Sequence, residues 1–502
     1  MSKTIIIIGA GLAGLSAALQ AAENGCNVKL VSSLPSERAQ SVMAEGGINA
    51  ALNTKDENDS PEEHFTDTIK AACGLADPNA VWGMTQAAPE LVHWLLKLGV
   101  KFNMSGYDDV DLRNFGGQKK KRTAFAQSDT GKQIMTAMID AVRRKEASGM
   151  VERFSHHSFL TLRLCGNICC GCVIRDEYSQ ETVELPGDAV IVATGGMHGL
   201  FGNTTGSLSN TGEVTAELFR LGVPLANGEM IQYHPTTVKC GGKRMLISEA
   251  ARGEGGRLFA MKDGKQWYFM EEKYPELGNL MPRDITAREI WKVSHESEVF
   301  LDMTEISEEI ISNKLSGLAD DCMTYLHKDI RKEPVSVLPG IHYFMGGILV
   351  DEQHRTPIQN LCAAGECCAQ YHGANRLGGN SLLGALYGGR VAAKSACEQA
   401  DVVDLSCATQ IDFPPASQIS EIKQLNKVMQ ETMGVVRNEN TLLNGIQTVQ
   451  ALTGNLPLLG MAVLKSALAR KESRGAHWRE DYPKSNDDDY LKTTVARFDG
   501  KQ

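Results

Sequence analysis

The chain has 502 residues and a formal net charge of −10, and 42% of its residues are hydrophobic and 22% charged. This length predicts two or three domains, and the composition is ordinary for a globular protein. The negative charge argues against nucleic acid as a partner, and 13 cysteines, an odd number, are more typical of a reducing cytoplasm than of a disulfide framework.

The first thirty residues predict a strand, a helix and a second strand. Residues 5–8 form a short β-branched run, residues 12–23 have helical composition, and residues 27–31 predict the second strand. Residues 4–22 are apolar enough to suggest a signal or membrane segment, but glycines interrupt them and no cleavage-like boundary follows. We therefore expect no direct membrane insertion and the start of a doubly wound sheet.

Later segments predict the rest of this architecture. Residues 189–192 and 361–364 read as further parallel strands, so the sheet returns after an insertion between about residues 230 and 344. Helical patterning then dominates, with amphipathic helices predicted at 419–432 and 456–471.

The first turn carries a dinucleotide-binding fingerprint. Gly9, Gly11 and Gly14 fit G-x-G-x-x-G between the first strand and helix, where glycines permit a tight turn and close approach of a pyrophosphate. Ser32 stands near the end of the second strand, where an NAD site usually has an acidic residue. Glu366, after the late strand, is the alternative ribose partner.

Other glycine-rich turns extend this signal. Turns at residues 44–47 and 193–196 are plain turns when taken singly. Together with the first turn and the 371–382 segment, they indicate one long cofactor lying across the sheet. FAD fits this arrangement better than NAD.

Residues 371–382 combine glycines with one His and one Arg before an apolar run begins at Leu382. Asn380 or Ser381 can cap the helix that follows, and Arg376 offers a planar fork for a carboxylate or phosphate. We expect cofactor and acidic substrate to meet here.

Residues 165–172 carry Cys165, Cys169, Cys170 and Cys172, a spacing compatible with a metal site. A hairpin whose cysteines are small strand residues explains the segment better, so no metal is expected.

Four more segments contain unusual combinations of polar residues, at 232–236, 248–256, 282–284 and 342–347. A lone His or a Pro-Arg-Asp turn is usually structural. The informative feature is that all four occur in one chain.

These segments together resemble the flavoprotein subunits of succinate dehydrogenase and fumarate reductase and the related L-aspartate oxidases. The resemblance runs from Gly9 to about Tyr490 and includes residues 470–477. It implies an α/β fold with a Rossmann-like FAD-binding domain, an inserted α+β capping domain and a C-terminal helical segment, at residues 1–233 with 345–400, 234–344 and 415–502.

The resemblance also implies site roles. Arg283 is the predicted proton donor, Glu249 and Arg252 its relay, and Phe115 a further substrate contact. The residues expected to hold the substrate carboxylates are His234, Ser248, His342 and Arg376. The predicted FAD contacts are Gly9, Gly11, Gly14, Ser32, Gly46, Gly47, Ala193, Thr194, Gly195, Glu366, Asn380, Ser381 and Leu382.

Some positions depart from the family pattern. Gln40 stands where complex-forming members attach FAD through a His, so we expect non-covalent FAD. Ser248 replaces a Thr but keeps the hydroxyl. Phe344 replaces a Thr beside His342 and is expected across the pocket from Arg376, which leaves the substrate open among fumarate and similar dicarboxylates or enoates.

Two alternatives remain. L-aspartate oxidases carry a Glu where this chain has Phe115, which favours an unaminated substrate here. The other alternative is an electron-transfer subunit that is active only with an iron–sulfur partner.

The expected partners are a small dicarboxylate and an iron–sulfur or other electron-donor protein, with a cytoplasmic location. The chain ends soon after residue 493, where complex-forming subunits continue, so docking to an iron–sulfur protein is left open.

Overall fold

The computed structural model describes residues 2–106, 109–399, 413 and 418–500. The predicted domain ends at residues 400, 415–417 and 501–502 lie outside these ranges. The strands are β1 Thr4–Ile8, β2 Asn27–Ser32, β3 Ile48–Asn49, β4 Leu112–Arg113, β5 Thr123–Ala124, β6 Val151–Ser155, β7 His157–Cys165, β8 Ile168–Asp176, β9 Thr182–Pro186, β10 Ala189–Val192, β11 Leu225–Ala226, β12 Ile231–Cys240, β13 Lys243–Leu246, β14 Arg257–Lys262, β15 Lys265–Trp267, β16 Val299–Asp302, β17 Val335–Ser336, β18 Leu338–Phe344, β19 Gly347–Leu349, β20 Leu361–Ala363, β21 Cys368–Ala369 and β22 Val495–Ala496.

The α-helices are α1 Leu12–Glu23, α2 Pro61–Ala71, α3 Pro78–Leu98, α4 Thr130–Ala147, α5 Glu213–Arg220, α6 Glu249–Gly253, α7 Phe269–Lys273, α8 Arg283–Val293, α9 Glu308–Lys314, α10 Ser316–Asp321, α11 Asn380–Gln399, α12 Ile419–Thr432, α13 Glu439–Val449, α14 Asn455–Ala469 and α15 Asp487–Tyr490.

A five-stranded parallel sheet in the order β20-β10-β1-β2-β6 is the centre of the fold. Ile5 and Ile7 pack among α1, α3, α4 and α11, whereas Ile6 and Ile8 pack towards the antiparallel β7-β8-β9 sheet. Both faces of β1 are therefore buried, which is why its sequence is an uninterrupted apolar run. The predicted doubly wound sheet is confirmed.

The chain approaches itself closely where α1 leaves β1. A Cβ on Gly14 would lie 1.8 Å from the carbonyl oxygen of Gly9, and Gly9 has φ +110. In the same turn of α1, the Ala13 oxygen would lie 2.3 Å from a Cβ on Gly389 of α11. Glycine at these positions lets α1 lie against both the sheet and α11.

A second lobe contains the sheets β13-β12-β18 and β15-β14-β16-β17. It has an apolar core of its own, built from residues such as Ile247, Leu258, Leu301 and Val335, and Phe115 packs into this core from outside the 231–344 stretch. The insertion expected from the sequence thus forms a separate α+β layer.

The C-terminal part is helical. The predicted helices at 419–432 and 456–471 correspond to α12 and α14, while α13 was not predicted. In addition, β22 pairs antiparallel with β11, with Leu225 opposite Ala496. The C-terminal segment is therefore joined by hydrogen bonds to the part of the chain before the insertion.

The cysteine-rich segment is the hairpin that the sequence predicts, with β7 and β8 antiparallel. Cys169, Cys170 and Cys172 are buried and free, whereas Cys165 is disulfide-bonded, a pairing that spacing alone did not indicate. Within the described ranges, no cluster of His, Cys, Asp and Glu has the geometry of a metal site. No helix in the described part of the chain is long and apolar enough to cross a bilayer.

A buried polar network supports the start of α11. Arg122 pairs with Asp59 at 2.8 Å and with Asp67 at 3.0 Å, and all three side chains are almost fully buried. Beside them, Nε2 of His64 lies 2.9 Å from Oδ1 of Asn380. Burial, and then the charge of Arg122, lower the pKa of His64 to about 3, so the neutral ring donates to Asn380.

Replacing Arg122 with leucine should destabilise the protein by about 3–5 kcal/mol, because two buried carboxylates lose their cation. Arg143→Leu is the matched control, since Arg143 forms exposed ion pairs with Glu37 and Asp140 and should cost less than about 1 kcal/mol. Urea denaturation monitored by circular dichroism measures both. Equal midpoints for the two variants would contradict this account of the network.

Candidate active site

A cavity of about 1170 Å³ lies at the carboxyl ends of β1, β2 and β10 and reaches the second lobe. Most of the predicted site residues line it. They are Gly9, Gly11, Ser32, Gly46, Gly47, Phe115, Ala193, Thr194, Gly195, His234, Ser248, Glu249, Arg283, His342, Glu366, Arg376, Ser381 and Leu382.

Three predicted site residues do not line the cavity, and each has a structural reason. Gly14 lies under the turn, against Gly9. Arg252 lies behind Glu249. Asn380 is the first residue of α11, but its Oδ1 accepts hydrogen bonds from Asn49 and His64. The predicted capping role of Asn380 is therefore replaced by a place in the buried network.

The sheet side of the cavity suits a long phosphate-bearing cofactor. A Cβ on Gly9 would lie 2.2 Å from the Ala193 oxygen, and one on Gly195 would lie 2.6 Å from the Asn210 side chain. Because Ala193 and Asn210 both line the cavity, side chains at Gly9 and Gly195 would displace its wall. The helices α1 and α11 also begin at this edge, where the positive end of each helix dipole favours phosphate and other electron-rich groups. Backbone and helix geometry thus fit FAD.

Gln40 lies on the cavity wall and is held in place, since its Oε1 accepts a hydrogen bond of 2.6 Å from the Ser207 amide. A carboxamide is not a nucleophile, so this side chain offers no covalent attachment point.

At the other end of the cavity, Glu249 binds two arginines. Its Oε2 accepts bonds of 2.8 and 2.6 Å from Nε and Nη2 of Arg283, and its Oε1 lies 3.3 Å from Nη2 of Arg252. The Gly116 amide also donates to Oε1 at 3.1 Å. Burial alone would raise the pKa of Glu249, but Arg283 and Arg252 hold it below its usual value. The carboxylate is therefore ionised.

Local structure explains this geometry. Glu249 and Arg252 are three residues apart on α6, so they share a helix face as predicted, and Ser248 accepts from the Ala250 amide at the start of that helix. Arg283 begins α8. Its remaining nitrogen, Nη1, donates to Oε1 of Gln232 at 3.0 Å. The guanidinium plane is thus fixed on two edges.

Two histidines face each other across β12 and β18, with ring centroids 5.1 Å apart. The pairing of these strands shifts beside each of them, because Gln232 pairs with Tyr343 and Tyr233 pairs with Ile341, which leaves His342 as an extra residue. A second shift follows His234. Such bulges turn side chains out of the regular alternation.

Both histidines are neutral. Burial first, and then neighbouring charged groups, lower the pKa of His234 and of His342 well below the usual value. Thr205 Oγ1 donates to the Ile341 carbonyl oxygen at 3.4 Å and lies 2.8 Å from Nδ1 of His342, so this hydroxyl fixes the orientation of the His342 ring.

Arg376 is buried against an aromatic ring. Its guanidinium lies 4.3 Å from the centroid of Tyr343, and burial, followed by Arg283, lowers its pKa to about 9. Its Nε has no partner within the described residues. The positive charge of Arg376 therefore favours binding of an anionic group in the cavity.

Phe344 is not the neighbour of Arg376 that the sequence suggested. Its ring packs edge-on to His198, with centroids 5.0 Å apart, and against Phe201 in the core of the C-terminal helices. Tyr343 is the aromatic residue that lines the cavity. The error arose because residue order alone does not reveal the bulge at His342 that changes which side chains face inward.

The charges at this end of the cavity are unbalanced. Arg252, Arg283 and Arg376 supply three positive charges, Glu249 and Glu366 are the carboxylates that act on Arg376, and the two histidines are neutral. The excess of positive charge suits an anionic ligand.

Comparison with known proteins agrees with this geometry. Residues 4–382 match the model of the FAD binding domain, and residues 452–502 match that of the fumarate reductase flavoprotein C-term. The succinate dehydrogenase flavoprotein subunit of Bacillus subtilis is 39% identical over 99% of this chain and 94% of its own length. The chain belongs to the succinate dehydrogenase and fumarate reductase flavoprotein family. It is an FAD-dependent oxidoreductase.

Other members of the family are also similar. The 8-methylmenaquinol:fumarate reductase flavoprotein subunit of Wolinella succinogenes is 32% identical over 99% of this chain and 89% of its own length. Among solved structures, E. coli quinol fumarate reductase FrdA superposes with a TM-score of 0.90 at 28% identity, covering 99% of this chain and 95% of that one.

Sequence reasoning missed several residues that hold the site together. Tyr343 supports Arg376, Asn49 donates to the Gly378 oxygen at 2.7 Å, and Gln232 joins Arg283 to the Arg376 backbone oxygen. Gln232 and Tyr343 belong to segments that the sequence singled out, so the motif signal was present. Their partners are distant in sequence, and only the fold brings them together.

Glu45 provides a pH test of the cavity. Burial first, and then Asp321 and Asp129, raise its pKa from 4.5 to about 8. Between these pH values the folded chain binds a proton that the unfolded chain releases, so stability falls as pH rises, with a slope of up to about 1.4 kcal/mol per pH unit.

We expect Glu45→Gln to flatten the decline in melting temperature between pH 5 and 8. Glu37→Gln is the control, because Glu37 also borders the cavity but is an exposed partner of Arg143. A Glu45→Gln profile parallel to the wild-type one would rule out this assignment.

Proposed function

We propose that the protein reduces the C=C bond of fumarate, or of a similar dicarboxylate or enoate, in the manner of a fumarate reductase or succinate dehydrogenase. The observation that carries this proposal is the excess of buried positive charge from Arg252, Arg283 and Arg376 beside the cofactor cavity. Relatives named succinate dehydrogenase and fumarate reductase flavoprotein subunits support it.

The predicted contacts that line the cavity would hold FAD, which would supply the hydride. The chain would orient the substrate. Arg376 binds one carboxylate, and His234, Ser248 and His342 hold the other. The neutral histidines leave the excess of positive charge unchanged. The groups that bind the two carboxylates hold the alkene in one orientation. This positioning supplies much of the rate enhancement.

Arg283 would deliver the proton to the second alkene carbon. Glu249 and Gln232 occupy three of its N–H bonds, so the remaining N–H groups are available to the cavity that Arg283 lines. An arginine is a weak acid, and its proton must be replaced after each turnover. Glu249 and Arg252, both buried and in contact, form the relay that replaces it.

We infer that the electrons come from an iron–sulfur or other electron-donor protein, since the relatives are named as subunits.

A cytoplasmic location is proposed from cysteine usage, because every described cysteine except Cys165 is free. We also propose the domain boundaries 1–233 with 345–400, 234–344 and 415–502.

The alternative activities have less support. L-aspartate oxidase would use an acidic side chain where Phe115 lines the cavity and packs against Gly46. A subunit with electron transfer as its only role would not need the buried carboxylate-binding groups described above.

Arg283→Ala should leave FAD bound and lower kcat for fumarate reduction, with a reduced viologen as donor, by at least about 10³-fold. Arg288→Ala is the matched control on the same helix, because Arg288 stacks on Trp478 at 4.0 Å outside the cavity. Flavin absorbance and steady-state rates measure both effects. Turnover within tenfold of wild type in Arg283→Ala would remove Arg283 from this role.

The flavin should be non-covalent. After denaturation in acid and removal of the protein, the flavin absorbance should stay in the supernatant as free FAD, because Gln40 cannot form the bond. The check is chromatography of both fractions. Yellow colour retained on the denatured chain would show that another residue attaches the cofactor.

A further inference from the structure

Two cysteines far from the active site lie within reach of each other. Sγ of Cys26, in the turn after α1, is 3.1 Å from Sγ of Cys397, near the end of α11. Bond formation needs an approach of only about 1 Å, to the usual disulfide length of about 2.05 Å. Cys26 is 5% exposed and Cys397 is half-buried, so a small oxidant can reach the second sulfur.

The pair joins the far ends of two helices whose first residues border the cofactor cavity. Leu12 of α1 and Leu382 of α11 both line that cavity. Between the cavity and the thiols the helices lie in contact, since Ser16 Oγ donates to the Leu386 oxygen at 2.6 Å. Lys3 also ties β1 to this end, donating to the Cys397 oxygen at 2.7 Å.

We propose that Cys26 and Cys397 form a redox-active dithiol that closes to a disulfide and locks α1 to α11. The oxidant is a low-molecular-weight disulfide. One sulfur of this pair attacks it and releases one thiol, and the second sulfur then displaces the other thiol. The protein loses two electrons and two protons, and the oxidant becomes two thiols.

The surroundings make this a slow reaction. Burial, and then Cys26, raise the pKa of Cys397 to about 12. Thiolates are the reactive species, so few molecules react at any moment near neutral pH. The pair therefore responds to sustained oxidation. The resulting cross-link spans most of the chain and restricts the unfolded state.

The oxidised protein should melt about 2–4 °C higher than the reduced protein. It should also release FAD more slowly on heating, because the two helices that begin at the cofactor can no longer separate at their far ends.

The experiment incubates the FAD-loaded protein with oxidised glutathione, alkylates the remaining thiols and maps the peptides by mass spectrometry. We expect a linked pair containing Cys26 and Cys397 that is 2 Da lighter than the two thiol peptides together, and the rise in melting temperature. Cys397→Ser should show neither the linked pair nor the rise in melting temperature. Cys26→Ala, which removes the buried thiol, should also show neither. Cys73→Ser, a half-buried thiol elsewhere, should keep both.

Full alkylation of Cys26 and Cys397 after oxidation would overturn the proposal. So would a rise in melting temperature that persists in Cys397→Ser. Neither result depends on turnover, so failure here is distinguishable from failure of the proposed reaction.

Discussion

The site depends on one buried carboxylate shared between two guanidiniums. Glu249 binds Arg283 through two bonds and contacts Arg252, and both of its oxygens are used. Without it, the other two members of the Arg283–Glu249–Arg252 triad would be buried with no carboxylate between them. Removing one member of a buried ion pair typically costs about 3–5 kcal/mol. The carboxylate therefore lowers the free-energy cost of burying these arginines. The excess positive charge of the cavity stays available to a ligand.

The rest of the fold holds this charge arrangement opposite the cofactor. The bulged strands β12 and β18 carry the histidines, and α6 and α8 carry the triad. From the other side, α1 and α11 begin at the cavity and are fixed by glycine contacts and by the network around Arg122. The substrate end is thus built on one lobe and the cofactor end on the other. Arg376, from the 371–382 segment, crosses between them.

Much of this could be predicted from sequence, because the strongest signals are local. The apolar runs of β1 and β10, the glycine turns and the α6 spacing each follow from backbone rules within a few residues. The errors came from contacts between distant residues. Asn380 looks like a helix cap until His64 and Asn49 are brought beside it, and Phe344 looks like a pocket residue until the bulge at His342 is known.

We propose that Glu249 organises proton delivery through Arg283. The most direct measurement is stopped-flow reoxidation of the reduced flavin by fumarate in Glu249→Gln, beside the wild type, with FAD content and fumarate affinity measured in the same samples. We expect Glu249→Gln to retain FAD and to be reoxidised at least about 10²-fold more slowly. Reoxidation at the wild-type rate, with binding unchanged, would contradict it.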